Sequence, residues 1–347
     1  MNPLAKGFIT TNLIAGPLLT MSSNHWVMAW CGLEISTLSI IPLIAQQHHP
    51  RAIEASTKYF LVQAAASSMV LFSTILNSWN MGQWSMTLMH NNIPCTLLTI
   101  ALAMKLGLAP FHLWLPEVLQ GSTTMTALLL TTWQKLAPLT LLMMTFQHLS
   151  TPILLLMGLT SALIGGWGGL NQTQLRKIMA FSSIAHLGWM IIIITMSPKL
   201  TLLTFYLYST MTASMFLMMN CLKTSKMSTM MTSWTKTPSM NAMMMITLMS
   251  LGGLPPLTGF SPKLLILQEL TKQHLPLTAT LMALASLLSL FFYLRVSYYT
   301  TITLPPNSHN YTQQWRHKMY NVKPYLALAS SLSTMLLPLL PMMSSTI

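Results

Sequence analysis

Residues 104–118 read MKLGLAPFHLWLPEV, and residues 251–263 read LGGLPPLTGFSPK. Each stretch breaks an apolar run with prolines, and each holds or borders a lysine, Lys105 in the first and Lys263 in the second. Proline removes a backbone donor and its ring clashes with the preceding turn, so a helix unwinds where either stretch falls. Unwound backbone at membrane depth is tolerated only where it is buried in protein or lines a wet cavity. The fold therefore turns on whether the flanking runs are membrane spans.

Composition says that they are. Of 347 residues 52% are apolar and only 6% are charged, with a mean hydropathy of +0.56, against roughly 25% charged in a soluble domain. The runs are long, rich in Leu, Met and Ile, and do not alternate as the strands of a membrane barrel would. At about 20 residues per crossing, polar breaks and prolines place spans near 3–21, 25–45, 52–79, 93–119, 122–146, 151–170, 174–195, 199–222, 238–272, 276–303 and 323–344. The fold class is all-α: a polytopic membrane protein of about eleven transmembrane helices, two of them broken. The broken spans, fourth and ninth, are five crossings apart, and an odd number of crossings inverts the second copy, so the layout predicts an inverted five-helix repeat. Repeat one covers about 1–146, repeat two about 151–303, and a last helix about 323–344, all in a single domain over 1–347. The polar connections near 223–237 and 304–322 are expected outside the membrane, the latter with Pro305, Pro306, Asn307, His309 and Asn310.

Alternating the spans puts Lys6, Arg51, Lys58, Arg176, Lys177, Lys223, Lys226, Lys236, Arg316, Lys318 and Lys323 on one side and only Lys199 and Lys272 on the other. By the positive-inside rule this sets the N-terminus on the positive side and the C-terminus opposite. No cleavable leader is expected, because the first apolar span starts almost at Met1. The sequons at Asn171 and Asn310 fall on the non-translocated side, so glycosylation is not expected.

Several chemistries are set aside by what the chain carries. It has no aspartate and no glycine-rich phosphate loop, which removes nucleotide hydrolysis. Cys31, Cys95 and Cys221 are far apart and suit neither zinc nor an iron–sulfur cluster. The 32 methionines show no paired copper spacing and read as packing residues. The net charge of +13 comes from single basic residues between spans rather than from a stripe that would hold nucleic acid.

Buried ionisable side chains are what remains. Glu34, in WCGLEIS at 30–36, lies roughly nine residues or 14 Å into its span, and Lys105 roughly 18 Å into the fourth, so the two can meet near the bilayer centre. Intramembrane charges cost several kcal/mol unless paired or hydrated, which makes them functional candidates. A pair whose protonation follows its separation is a switch; the alternative is a static ion pair locking two helices. Lys135, in TTWQKLAP at 131–138, has no carboxylate in its own span and suits a relay that gains and loses a proton. Lys263 adjoins the second break, where free carbonyls and water would surround it; snorkelling to an interface is the alternative for both lysines. His112 and His186 are relay candidates or plain hydrogen-bonding residues. Arg295 is read as snorkelling, Glu117 as paired with a neighbouring helix, and Gly165, Gly166, Gly168 and Gly169 as a close helix contact.

These stretches, with MNPLA at the start, HPRAIEASTKYFLVQAAAS at 49–67 and GGLNQTQLRKIMAFSSIAHLGWM at 168–190, resemble from end to end the antiporter-like membrane-arm subunits of NADH:ubiquinone oxidoreductase, respiratory complex I, in the vertebrate mitochondrial form. That family extends to Mrp-type cation/proton antiporters. The resemblance implies a translocase subunit of the respiratory chain in the mitochondrial inner membrane, taking part in proton translocation coupled to electron transport from NADH to ubiquinone. It implies Glu34, Lys105, Lys135 and Lys263 as the proton-transfer residues, with the first three spans of the fourteen-helix members absent. It implies no cofactor in this chain, flavin, iron–sulfur clusters and ubiquinone being bound by other subunits. Implied partners are the other membrane-arm subunits, notably chains 4 and 4L, accessory subunits and lipids such as cardiolipin. A stand-alone antiporter and a structural subunit without its own proton path are the rival readings.

Overall fold

In the computed structural model, which describes residues 2–86, 89, 91–234, 237–301 and 323–339, prolines open many of the helices. Pro3 and Pro50 stand at the starts of α1 (Pro3–Ser22) and, after α2 (Trp26–Ile44), of α3 (Pro50–Met81), where a missing backbone donor costs nothing. There follow α4 (Asn92–Leu106), α5 (Trp114–Gly121), α6 (Thr124–Thr131), α7 (Trp133–Thr145) and α8 (Thr151–Gly169). The order continues with α9 (Leu175–Ile194), α10 (Pro198–Leu222), α11 (Met227–Ser233), α12 (Pro238–Gly252), α13 (Phe260–Lys272), α14 (Pro276–Thr301) and α15 (Lys323–Met335). Among the described residues the secondary structure is helical, apart from two isolated bridges.

The chain divides into two compact units, Met1–Ser161 and Ala162–Ile347, with the boundary inside α8. In the first, α1 and α2 cross so closely that a Cβ on Gly16 would lie 2.7 Å from the Ser36 Cβ, and one on Gly32 2.8 Å from the Gly16 carbonyl. In the second, a Cβ on Gly165 would lie 2.6 Å from the Ala185 backbone, so the glycine cluster is a packing device, as expected. Each unit also ties two loops together by a bridge, His25 to Ser85 in the first and Gln174 to Lys226 in the second. Both times the joined loops are ones that strict alternation of spans puts on the same side.

Seven stretches among the described residues are long and apolar enough to cross a membrane: α2, α3, α6 with α7, α8, α9, α10 and α14. Of the four expected spans not among them, two are the broken spans, cut into half-helices too short to cross singly, and the others are α1 and the 13-residue α15. The first break runs from the end of α4 at Leu106 to the start of α5 at Trp114, and the second from Gly252 to Phe260, where the prolines put them. Both breaks have one design. Gly107 and Gly253 take left-handed φ values of 77° and 80°, each amide closing the preceding helix onto carbonyls three and four residues back. A leucine and then a cis X-Pro bond follow, at Pro110 and at Pro256.

One expectation needs correction, and two stretches fall outside the described residues. The fifth span is two helices, interrupted at Thr132, not one. The Thr132 hydroxyl donates to the Leu128 carbonyl at 2.8 Å, and Pro138 further on lacks the donor that would bond Gln134. The connection near 223–237, expected outside the membrane, contains the short helix α11. The 304–322 connection, with Arg316, Lys318 and the Asn310 sequon, and the end of the last span beyond 339 lie outside the described residues.

The second break also gives a test of packing. A Cβ on Gly259 would sit 1.7 Å from the Ser250 carbonyl oxygen, backbone against backbone, with no flexible side chain to yield. Gly259→Ala should therefore destabilise the second unit by about 3 kcal/mol or more, read as loss of assembled protein on native gels and a lowered melting temperature. Wild-type stability would show that α12 and α13 do not approach in this way.

Candidate functional site

In the first unit a cavity of about 20 Å³ lies among α2, α3, α4, α5, α6 and α7, lined by Ser36, Thr37, Tyr59, Gln63, Gln134, Lys105 and Lys135 with apolar neighbours. One water needs roughly 10–15 Å³, so the space admits water, and its hydroxyls and amides supply partners for it. Lys105 is 6% exposed and Lys135 3%. The Lys105 ammonium has no hydrogen-bond partner among the described residues, and the cavity it lines is large enough for a water that would relieve its desolvation.

The surrounding helices hold this geometry by side-chain bonds to backbone carbonyls. The broken end of α4 exposes the Met104 and Lys105 carbonyls, which accept the Trp114 indole and the Gln63 amide, each at 3.3 Å. Tyr59 packs edge-on against Trp114 with ring centres 5.7 Å apart. On the other side, Trp133 donates to the Leu13 carbonyl at 2.8 Å and Gln134 to the Ser36 carbonyl at 3.4 Å, pinning α7 beside α1 and α2.

Glu34 does not touch Lys105. The ion pairs among the described residues are Lys58 with Glu54 and with Glu117, and Lys272 with Glu269. Glu34 instead accepts the Thr37 hydroxyl at 3.3 Å, and Thr37 lines the cavity that Lys105 and Lys135 share. Glu117 does pair with a neighbouring helix, its carboxylate 2.6 Å from Lys58 on α3. His112 is buried in the first break, its Nδ1 unpartnered among the described residues, and it does not line the cavity.

In the second unit Lys263 is the fourth residue of α13 and reaches back across the break, its ammonium donating to the Gly252 carbonyl at 2.7 Å. Its side chain lies over Gly253, where a Cβ would come within 3.0 Å of it. The ammonium thus sits at the carbonyl end of α12, where the helix dipole favours a cation. Glu117 holds the same place in α5, so the two breaks carry opposite charges at matched positions. Arg295, read as snorkelling, donates from its guanidinium to the Leu170 carbonyl just past the end of α8 and lies 5.7 Å from the Tyr299 ring centre.

A model of the NADH:quinone oxidoreductase/Mrp antiporter transmembrane family matches residues 23–289, and one of the NADH dehydrogenase subunit 2 C-terminus matches 290–344. The chain is 63% identical over 341 residues to NADH-ubiquinone oxidoreductase chain 2 of Pelomedusa subrufa, covering 98% of each. It is 61% identical to the same chain of Struthio camelus, covering 99% of each. The chain belongs to the NADH-ubiquinone oxidoreductase chain 2 family. Solved structures with the same fold include respiratory complex I from Thermus thermophilus, with TM-score 0.82 at 24% identity over 97% of this chain and 80% of that one. An Mrp complex from a Dietzia species gives 0.80 at 17% identity over 97% and 76%.

For this member of the chain 2 family, the sequence located the charged residues but not what joins them. Thr37, Gln63, Gln134 and Tyr59 were missed. The available signal was polar side chains at helical spacing from the charges: Thr37 three residues after Glu34, and Gln134 beside Lys135.

Proposed function

We propose that this chain is a proton-translocating membrane-arm subunit of respiratory complex I, working in the mitochondrial inner membrane with its N-terminus in the matrix and its C-terminus toward the intermembrane space. NADH oxidation by ubiquinone in the rest of the complex drives it, and flavin, iron–sulfur clusters and ubiquinone belong to other subunits. Chains 4 and 4L, accessory subunits and cardiolipin are its proposed neighbours. The observation that carries the reading is the shared cavity, in which Lys105 and Lys135 face the same water-sized space and Glu34 is linked to it through Thr37.

On this reading Glu34 is the switch. With its charge directed toward Lys105, the ammonium keeps its proton; when that charge is withdrawn, Lys105 gives the proton to cavity water and on to Lys135. Lys263 in the second unit is the release residue, with His186 and His112 as further relay candidates.

Glu34→Gln tests this directly. The variant keeps side-chain size and every redox group, so electron entry from NADH to an artificial acceptor should be unchanged. Proton uptake by proteoliposomes holding the whole complex should fall several-fold per NADH oxidised. Normal proton uptake in the assembled variant would remove Glu34 from the mechanism.

A further inference from the structure

The loop of the second break is tied to the last described α-helix. Thr258, one residue before the Gly259 that opens α13, is fully buried, and its hydroxyl donates to the Ser333 carbonyl on α15. A hydroxyl at a helix start commonly bonds the first free amides of that helix, yet α13 has no side-chain cap. Thr258 reaches instead to an element 75 residues further on. The acceptor is available because α15 stops at Met335, and the last four carbonyls of a helix have no partner within it.

The two halves of the broken span meet α15 in different ways. Leu326, Ser330 and Ser333 are buried at helical spacing, and α15 packs against α10 and α12. The start of α13 is held by the Thr258 bond, and the Ser261 hydroxyl donates to the Thr258 carbonyl at 2.7 Å, so the first turn of α13 hangs on the same residue. Lys263 lies in that turn, while its acceptor, the Gly252 carbonyl, ends α12. The seat of the ammonium therefore spans the break and lasts only while the two half-helices keep their spacing. Counted from Gly107 and Gly253, His112 holds in the first break the place that Thr258 holds in the second, and it is buried too. Its Nδ1 has no partner among the described residues, whereas Thr258 is bonded to a distant helix.

We propose that Thr258 is a positioning residue for Lys263: by fastening the start of α13 to the end of α15, it keeps the ammonium on the Gly252 carbonyl. The proposal rests on the proton-translocating reading above, and it brings into that reading a helix whose buried face carries no charge. The bond is buried and local, so its loss frees the first turn of α13 without removing the packing that holds the span.

The test compares Thr258→Val, which keeps the branched shape without the hydroxyl, with Thr258→Ser, which keeps the hydroxyl, and with Lys263→Met, all in the assembled complex. Hydrogen exchange is read at the Leu257 and Phe260 amides, which close the turns of the break, and proton uptake per NADH oxidised is read in proteoliposomes. In Thr258→Val exchange should quicken about tenfold, the scale of one lost buried hydrogen bond, and coupled proton uptake should fall about tenfold through misplacement of the amine. Thr258→Ser should stay near wild type in both. Wild-type exchange or wild-type pumping by Thr258→Val would overturn the proposal, as would Thr258→Ser failing as badly as Thr258→Val. If Lys263→Met fails to pump while Thr258→Val pumps normally, the positioning role is wrong and the translocation reading stands. Normal pumping by Lys263→Met would instead overturn the reading at this unit. Should Thr258→Val not assemble, Thr258→Ala, which removes the same hydroxyl from a smaller side chain, decides in its place.

Discussion

Lys105→Met should leave the complex as stable as the wild type, or slightly more so, while its coupled proton uptake falls by at least about 100-fold, the scale of a lost proton-transfer group. The two halves of that outcome come from one fact. The Lys105 ammonium is buried without a hydrogen-bond partner among the described residues, so replacing it with an apolar side chain of similar length relieves a desolvation cost. What is removed is the titratable amine facing the cavity. Melting of the solubilised complex and proton uptake in proteoliposomes read the two halves separately. A variant several kcal/mol less stable would make Lys105 a structural ion, and the transfer role would then have no support.

The second large effect concerns Lys135, where charge and exchangeable proton can be separated. Lys135→Met removes both, and Lys135→Arg keeps the charge on a guanidinium that does not deprotonate in proteins. Both should pump poorly, although only one has lost its charge. The arginine variant is the informative one because Lys135 lines the same small cavity as Lys105; a fixed cation there can orient water but cannot hand a proton on. Full pumping by Lys135→Arg with failure of Lys135→Met would make Lys135 a fixed positive charge and overturn the relay.

Much of the fold was legible because membrane burial enforces simple rules. Long apolar runs set the helices, and Pro110, Pro255, Pro256 and the glycines before them set both breaks within a residue or two of where they occur. The interruption at Thr132 was harder to see, since threonine and an internal proline are both common in membrane helices and only their combination bends the chain here. The depth of Glu34, Lys105 and Lys135 could be counted from helix rise, but the contacts among them could not. Gln63 reaches the Lys105 carbonyl from α3, and nothing local in either sequence announces that meeting. Arg295 is similar: its place near a span end was countable, but the Leu170 carbonyl it meets just past α8 was not.

The Lys263 contact with Gly252 bears on where this chain is vulnerable to inherited change. Four acidic residues stand against 17 basic ones, and Glu54, Glu117 and Glu269 are already engaged with Lys58 and Lys272. A cation held by a backbone carbonyl needs no acid of its own, and its counter-charge can be neither protonated nor deleted by changing a side chain. The genetic liability moves instead to the residue that shapes the backbone. At Gly253 almost any substitution puts a side chain into a left-handed turn and against Lys263, so a neutral-for-neutral exchange there would disturb the seat of a buried charge while leaving the lysine itself in place.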